Sequence, residues 1–242
     1  AAVKLFDVSV ASEASPMVSP DGSWIAYTDF VGGTGPHLFI RPVTDQATLA
    51  TGAPIQISTN GVQTQTWASD SRRLVAKEGT TFSCEQGTCS RGIVTVYDID
   101  PDGNGIIDQI DRTDINSSTP LRNVTGDNPD WSPTADRVAV WGTPIGGGGF
   151  DLHLFDFSNL SAVVACRLTD TTDSEVGVAF SPDGGAIAVK RMATGNGHTS
   201  IALITLGATG SDGCPVVVSD TELIPTREGG KNSIEYREID WR

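Results

Sequence analysis

Four ten-residue segments of this 242-residue chain lie over one another without a gap: VSPDGSWIAY at 18–27, WASDSRRLVA at 67–76, WSPTADRVAV at 131–140 and FSPDGGAIAV at 180–189. In each, a bulky residue stands seven before the first aliphatic residue of an alternating stretch: Val18 and Ile25, Trp67 and Leu74, Trp131 and Val138, Phe180 and Ile187. Pro-Asp-Gly or a polar equivalent lies between, and those residues supply the dihedrals of a tight turn. A strand ending in a core residue, a turn and an alternating return strand make a β-hairpin. Helical periodicity is almost absent.

Further strands are predicted after each hairpin. HLFI at 37–40, TVYD at 95–98, HLFD at 153–156 and SIAL at 200–203 read as third strands. PIQIS at 54–58, LRNVT at 121–125, CRLTD at 166–170 and PVVVSD at 215–220 read as fourth strands. A single four-stranded unit cannot bury both its faces, whereas stacked neighbours can. The expected fold class is therefore all-β: a β-propeller of four-stranded antiparallel blades. One domain over 1–242 is expected, with repeats at about 11–59, 60–126, 127–173 and 174–230. Strands at 3–10 and 234–241, the latter ending in Trp241, read as parts of an incomplete fifth blade.

The segments VSPDGSWIAY, WSPTADRVAV and FSPDGGAIAV resemble the TolB-like propeller repeat, over nearly the whole chain. The resemblance implies the fold. It leaves activity open, because this repeat serves in TolB, in prolyl-oligopeptidase propellers and in lyases. Six blades are usual in such propellers, and this chain departs from that number.

The key positions 18, 67, 131 and 180 are 49, 64 and 49 residues apart, so the second repeat is longer. It contains DPDGNGIIDQID at 100–111, which matches a twelve-residue calcium loop. Asp100, Asp102, Asn104, the backbone carbonyl of Ile106, Asp108 and Asp111 take the ligand positions, Gly105 the sharp turn and Ile107 the anchoring aliphatic position. Alternating short oxygen side chains converge on one point only if the chain turns sharply between them, and Ca²⁺ takes six to eight oxygens. Asp111 replaces the usual Glu, as in dockerin-like loops, and no helices flank the segment, so the EF-hand-like loop is expected to be structural. A solvated acidic turn is the alternative reading. Asp98 would enter only in a shifted register.

Cys84 and Cys89 flank a hairpin tip and are expected to form a disulfide. Cys166 and Cys214 hold similar places in neighbouring repeats and are expected to pair. Two disulfides place the chain outside the cytoplasm, secreted, at the cell surface or periplasmic; four free thiols are the alternative. The start AAVKLF has no leader-like pattern, as in a mature exported chain. The net charge of −14 disfavours nucleic acid as a partner, and no apolar run approaches the length of a membrane span.

Asp21, Asp70 and Asp183 are expected to serve their turns, Trp67, Trp131 and Trp241 to pack between blades, and His37, His153 and His198 to be exposed on strands. No G-x-S-x-G elbow or nucleophile–His–Asp set is evident. The function expected is non-enzymatic: a calcium-binding scaffold for a protein partner or for self-association through terminal strands and blade edges. The alternative is the propeller module of a hydrolase or lyase system.

Overall fold

A computed structural model describes residues 16–31, 35–45, 47, 50–84, 87–107, 109–115, 129–142, 150–193 and 199–224, with the side chains of 63, 80–91 and 224 excepted. The described residues contain seventeen strands and no helix. They fall into two units, Ala1–Thr113 and Asp114–Arg242.

In the first unit, β1 (Met17–Val18), β2 (Trp24–Phe30), β3 (Pro36–Asp45), β4 (Ala50–Thr51) and β5 (Ile55–Gln56) form one antiparallel sheet. The short β4 and β5 pair with opposite halves of β3, so the expected fourth strand is split. The second sheet runs β6 (Gly61–Trp67), β7 (Arg73–Cys84), β8 (Gly87–Asp98) and β9 (Asp111–Asp114). Its fourth described strand is β9, which begins after a twelve-residue connection from β8; the expected strand 121–125 lies outside the described residues.

In the second unit, one sheet runs β10 (Asp130–Trp131), β11 (Arg137–Gly142), β12 (Asp151–Asp156) and β13 (Val164–Arg167). The other runs β14 (Ser174–Phe180), β15 (Ala186–Met192), β16 (Thr199–Thr209) and β17 (Pro215–Ile224). The two outer strands overlap the expected segments 166–170 and 215–220. Strands 3–10 and 234–241 lie outside the described residues.

All four pairs spaced by seven in the sequence are cross-strand partners: Val18 with Ile25, Trp67 with Leu74, Trp131 with Val138 and Phe180 with Ile187. The turn between them is built twice in the same way. Ser19 Oγ donates to Asp21 Oδ1 at 2.6 Å and accepts from Trp24 N, while Asp21 Oδ1 accepts from Ser23 N. Ser181, Asp183, Gly185 and Ala186 repeat the pattern. Gly22 and Gly184 follow the aspartates at φ 74° and 70°, where a Cβ is disfavoured. Ser71 occupies that position in the second sheet at φ 60° and is the sole non-glycine residue of positive φ described.

The third strands are not all in the expected phase. His37 faces Asp29 across the ladder and Ser200 faces Arg191, four residues beyond Ile25 and Ile187. Thr95 faces Ala76 and His153 faces Val140, two residues beyond Leu74 and Val138. His37 thus corresponds to Ser200, and His153 to Thr95. The offset is two, so every side chain keeps its face.

Sheets pack face to face within each unit. In the first, Ala26, Leu38 and Ile40 meet Trp67, Leu74, Tyr97 and Ile99. In the second, Ala139, Leu152 and Leu154 meet Val178, Phe180, Ile187 and Val189. Hydrogen bonds cross both interfaces: Trp67 Nε1 donates to Met17 O at 3.1 Å, Asp21 N to Ser71 Oγ at 3.0 Å, and Phe180 N to Asp130 Oδ2 at 2.6 Å. The Cys166–Cys214 disulfide joins the same two sheets in the second unit. The expected Cys84–Cys89 bond falls on side chains outside the described set.

Candidate functional site

The acidic loop connects β8 to β9 and so closes the second sheet. Ile107 and Ile110 pack against the core between the first two sheets, while Ile106 is exposed. Between these anchors, backbone N–H groups donate to the short side chains. Asn104 N reaches Asp100 Oδ1 at 3.1 Å and Asp102 Oδ1 at 3.2 Å, Gly105 N reaches Asp100 Oδ2 at 3.0 Å, and Ile106 N reaches Asn104 Oδ1 at 2.6 Å. Gly103 and Gly105 adopt φ of 69° and 80°, which lets successive amides point inward. Each carboxylate oxygen has two lone-pair directions and spends only part of them on these bonds.

Asp111 is the first residue of β9, and its Oδ1 accepts from Gln109 Nε2 at 2.9 Å. Asp108 lies outside the described residues. Asp98 is engaged elsewhere: Oδ2 pairs with Arg72 Nη2 at 3.1 Å and Oδ1 accepts from Asp100 N. Among the described residues, no three His, Cys, Asp or Glu side chains converge as metal ligands.

Directly after Asp111, Arg112 reaches into the sheet. Its Nη2 lies 2.9 Å from Glu78 Oε2, and Glu78 is fully buried. Tyr97 OH donates to Glu78 Oε1 and Asn60 Nδ2 to Oε2. Burial pushes the Glu78 carboxyl upward, but Arg112, Tyr97 and Asn60 outweigh it and hold it below its ordinary value. Burial, with the adjacent Glu78, raises the Tyr97 hydroxyl.

The second unit carries two more buried carboxylates paired with arginine. Arg167 Nη2 lies 2.7 Å from Asp151 Oδ2 and bridges to Asp170. Arg191 Nε lies 3.1 Å from Glu175 Oε1 and pairs with Asp220 on the last strand. Burial raises Glu175 despite Arg191, and its Oε2 is enclosed without a hydrogen bond. His153, fully buried beside this network, bonds through Nε2 to the carbonyl of Gly142 at 3.1 Å, with Nδ1 unpartnered. Burial depresses it. His37 is buried too, against Ser58 and Gln56. The expectation of exposed strand histidines is therefore corrected for both; His198 lies outside the described residues. Sequence alternation marks one face as apolar, but a strand histidine is also buried where polar groups of its own sheet receive it, Ser58 and Gln56 for His37 and the Gly142 carbonyl for His153.

Sequence reading missed the carboxylate–arginine pairs. Their signal is a charge inside an otherwise apolar strand, as in LVAKE and SEVGVAF.

The sheets, their SPDG-type hairpins and their face-to-face packing define the β-propeller fold, and comparison with solved structures agrees. TolB from Acinetobacter baumannii superimposes with a TM-score of 0.52 at 18% identity, over 88% of this chain and 43% of that one. The β-propeller domain of Cps50 (Swd1) from Myceliophteria thermophila gives 0.51 at 11% identity, over 90% and 58%. An oligogalacturonate lyase in complex with manganese gives 0.52 at 18% identity, over 86% and 52%. The chain thus spans roughly half the length of these proteins. No family model and no curated protein matches the sequence. No helix among the described residues is long and apolar enough to cross a membrane.

Proposed function

We propose that this chain is a non-catalytic, exported β-propeller module that binds protein partners along its strand edges and carries one structural calcium ion in loop 100–111. The observation that carries the scaffold reading is β17. Among the described residues it is a ten-residue edge strand, and its Val216, Val218 and Leu223 are at least half exposed. An edge of that length offers unpaired main-chain groups to an incoming strand, and apolar side chains beside it give selectivity. Export is supported by the Cys166–Cys214 disulfide. The buried carboxylates support a structural role, since Glu78, Asp151 and Glu175 are each committed to an arginine of the same sheet.

Calcium is supported by the amides at 104–106, which fix the Asp100 and Asn104 side-chain oxygens in the loop, and by the anchoring of Ile107. Asp100, Asp102, Asn104, the Ile106 carbonyl, Asp108 and Asp111 would hold the ion, and it would hold β8 to β9. Self-association as a filament would need a terminal strand, 3–10 or 234–241, to pass to a second copy.

Two measurements test this reading. Calcium should raise the melting temperature with one ion per chain by calorimetry, and Asp100→Ala should remove both effects; a melting curve indifferent to chelator overturns the calcium site. Extended peptides selected from a displayed library should lose binding to the Val216→Lys, Val218→Lys variant; equal binding overturns the edge. Turnover of an oligogalacturonate by the purified chain would replace the scaffold reading with a lyase.

A further inference from the structure

The turn between β12 and β13 displays an asparagine amide that the fold does not use. The base of the turn is fixed. Phe157 is buried, meets Trp131 edge to face with ring centroids 5.0 Å apart, and its N–H donates to the carbonyl of Asp136 at 3.0 Å. Asp156 Oδ1 accepts from Ser158 N at 3.2 Å and from Ser158 Oγ at 2.7 Å. Above that base, Ser161 N donates to Asn159 Oδ1 at 3.0 Å and Ala162 N to Asn159 O at 2.9 Å. A side-chain oxygen bonded to the N–H two residues on is an Asx turn. Residues 158–162 are all exposed, so a rigid base holds Asn159 out in solvent.

The fourth sheet makes the corresponding turn, between β16 and β17, with an aspartate. There Cys214 N donates to Asp212 Oδ1 at 3.0 Å. The backbone thus asks only for an oxygen at this place. Asparagine supplies that oxygen and adds a nitrogen with two protons to donate. Neither Asn159 Nδ2 nor Ser161 Oγ has a hydrogen-bond partner among the described residues.

We propose that Asn159 is an acceptor for an N-linked oligosaccharide. Asn159-Leu160-Ser161 has the residues such an acceptor needs: an asparagine, a residue other than proline, and a hydroxyl two residues on. The same pattern at Asn116 and Asn123 lies outside the described residues. The Ser161 N–H holds the carboxamide by its oxygen and leaves the nitrogen for an incoming group. The sugar arrives on a lipid-linked oligosaccharide pyrophosphate, brought by a transferase. Asn159 Nδ2 forms a bond to the anomeric carbon, and the bond from that carbon to the phosphate oxygen breaks. The lipid pyrophosphate leaves with the electron pair, and one Nδ2 proton passes to a carboxylate of the transferase. The product puts a bulky, solvated group at the end of β13, the outer described strand of the third sheet, and leaves β17 to partners.

The test gives the 242-residue chain a cleavable leader and expresses it in a eukaryotic secretory host, which supplies the transferase and the lipid-linked donor. Most molecules of the secreted, Cys166–Cys214-bonded protein should carry sugar on Asn159. Peptide mapping after peptide N-glycosidase reads this, because the enzyme leaves aspartate where the sugar was. Ser161→Ala should remove the sugar. Asn159→Asp should remove it too, and should melt like the parent stripped of sugar, because aspartate keeps the Asx turn as Asp212 does. Secreted, disulfide-bonded protein with a bare Asn159 overturns the assignment. So does an Asn159→Asp variant that no longer folds, since the fold would then need the nitrogen. Natural use of the site rests on the export proposed above. The leader supplies export in this experiment, so a bare Asn159 counts against the acceptor alone, whereas free thiols at Cys166 and Cys214 in protein from its own source count against export.

Discussion

The sulfur of Cys166, on the last strand of the third sheet, is bonded to that of Cys214, in the turn before the last strand of the fourth. The two residues are 48 apart in sequence, so the bond closes a long loop and ties two sheets at their outer ends. Constraint of the unfolded chain by a loop of that length is worth about 4 kcal/mol. The Cys166→Ala, Cys214→Ala double variant should lose about that much in denaturant unfolding of the oxidised protein. A loss under about 1 kcal/mol would mean that packing of Val164 and Leu168 on the fourth sheet already fixes the contact.

Ser71 carries a left-handed backbone and a bond between sheets at once. Glycine relieves the backbone by about 1 kcal/mol, and loss of the bond to Asp21 N costs about the same. Ser71→Gly should therefore be nearly neutral in melting experiments. Ser71→Ala keeps the strain and loses the bond, and should cost about 1 kcal/mol or more. A Ser71→Ala variant as stable as the parent would show that the Asp21 contact contributes nothing.

Removing Arg112 leaves a fully buried carboxylate with Tyr97 and Asn60 alone. Breaking one side of a buried pair costs about 3 kcal/mol, so Arg112→Met should destabilise strongly. Pairing it with Glu78→Gln should recover much of the loss, because the uncompensated charge is gone. A double-mutant cycle by chemical denaturation reads this coupling directly.

Acid should unfold the protein in two stages. His153 is held neutral in the fold by burial, with its proton affinity below the ordinary 6.5. The unfolded chain therefore takes up the proton first, and stability falls as pH drops below about 6.5. Glu78, Asp70 and Asp156 are held below their ordinary values and contribute stability that is lost at lower pH, as they protonate. Glu175 is raised and acts in the opposite direction: it protonates earlier in the fold than in the unfolded chain. His153→Gln should flatten the stability curve just below pH 6.5. An unchanged slope in urea midpoints across that range would remove His153 from the account.

The hairpins were legible because two independent signals coincide in them. Turn residues fix where the chain reverses, and the alternating strand fixes the face, so the pairing of Trp131 with Val138 follows from spacing alone. The third strands lacked a turn of fixed length before them, and alternation is blind to a shift of two. The fourth strands are as short as Ile55–Gln56, below the length at which any pattern is visible. In the acidic loop, the order of oxygen-bearing side chains is written in the residues, but the use of Asp98 by Arg72 is not, because the two meet only after β7 and β8 pair.

The phase difference between third strands bears on how such a chain changes over generations. His37 and Ser200 stand one full pleat further along their hairpins than Thr95 and His153. Gaining or losing two residues in the connecting turn carries a strand to a new phase with its inward side chains still inward. A change of one would turn the whole strand inside out. Descendants of a duplicated blade are therefore free to drift in even steps, and alignments of these repeats should accumulate gaps of even length within their second turns.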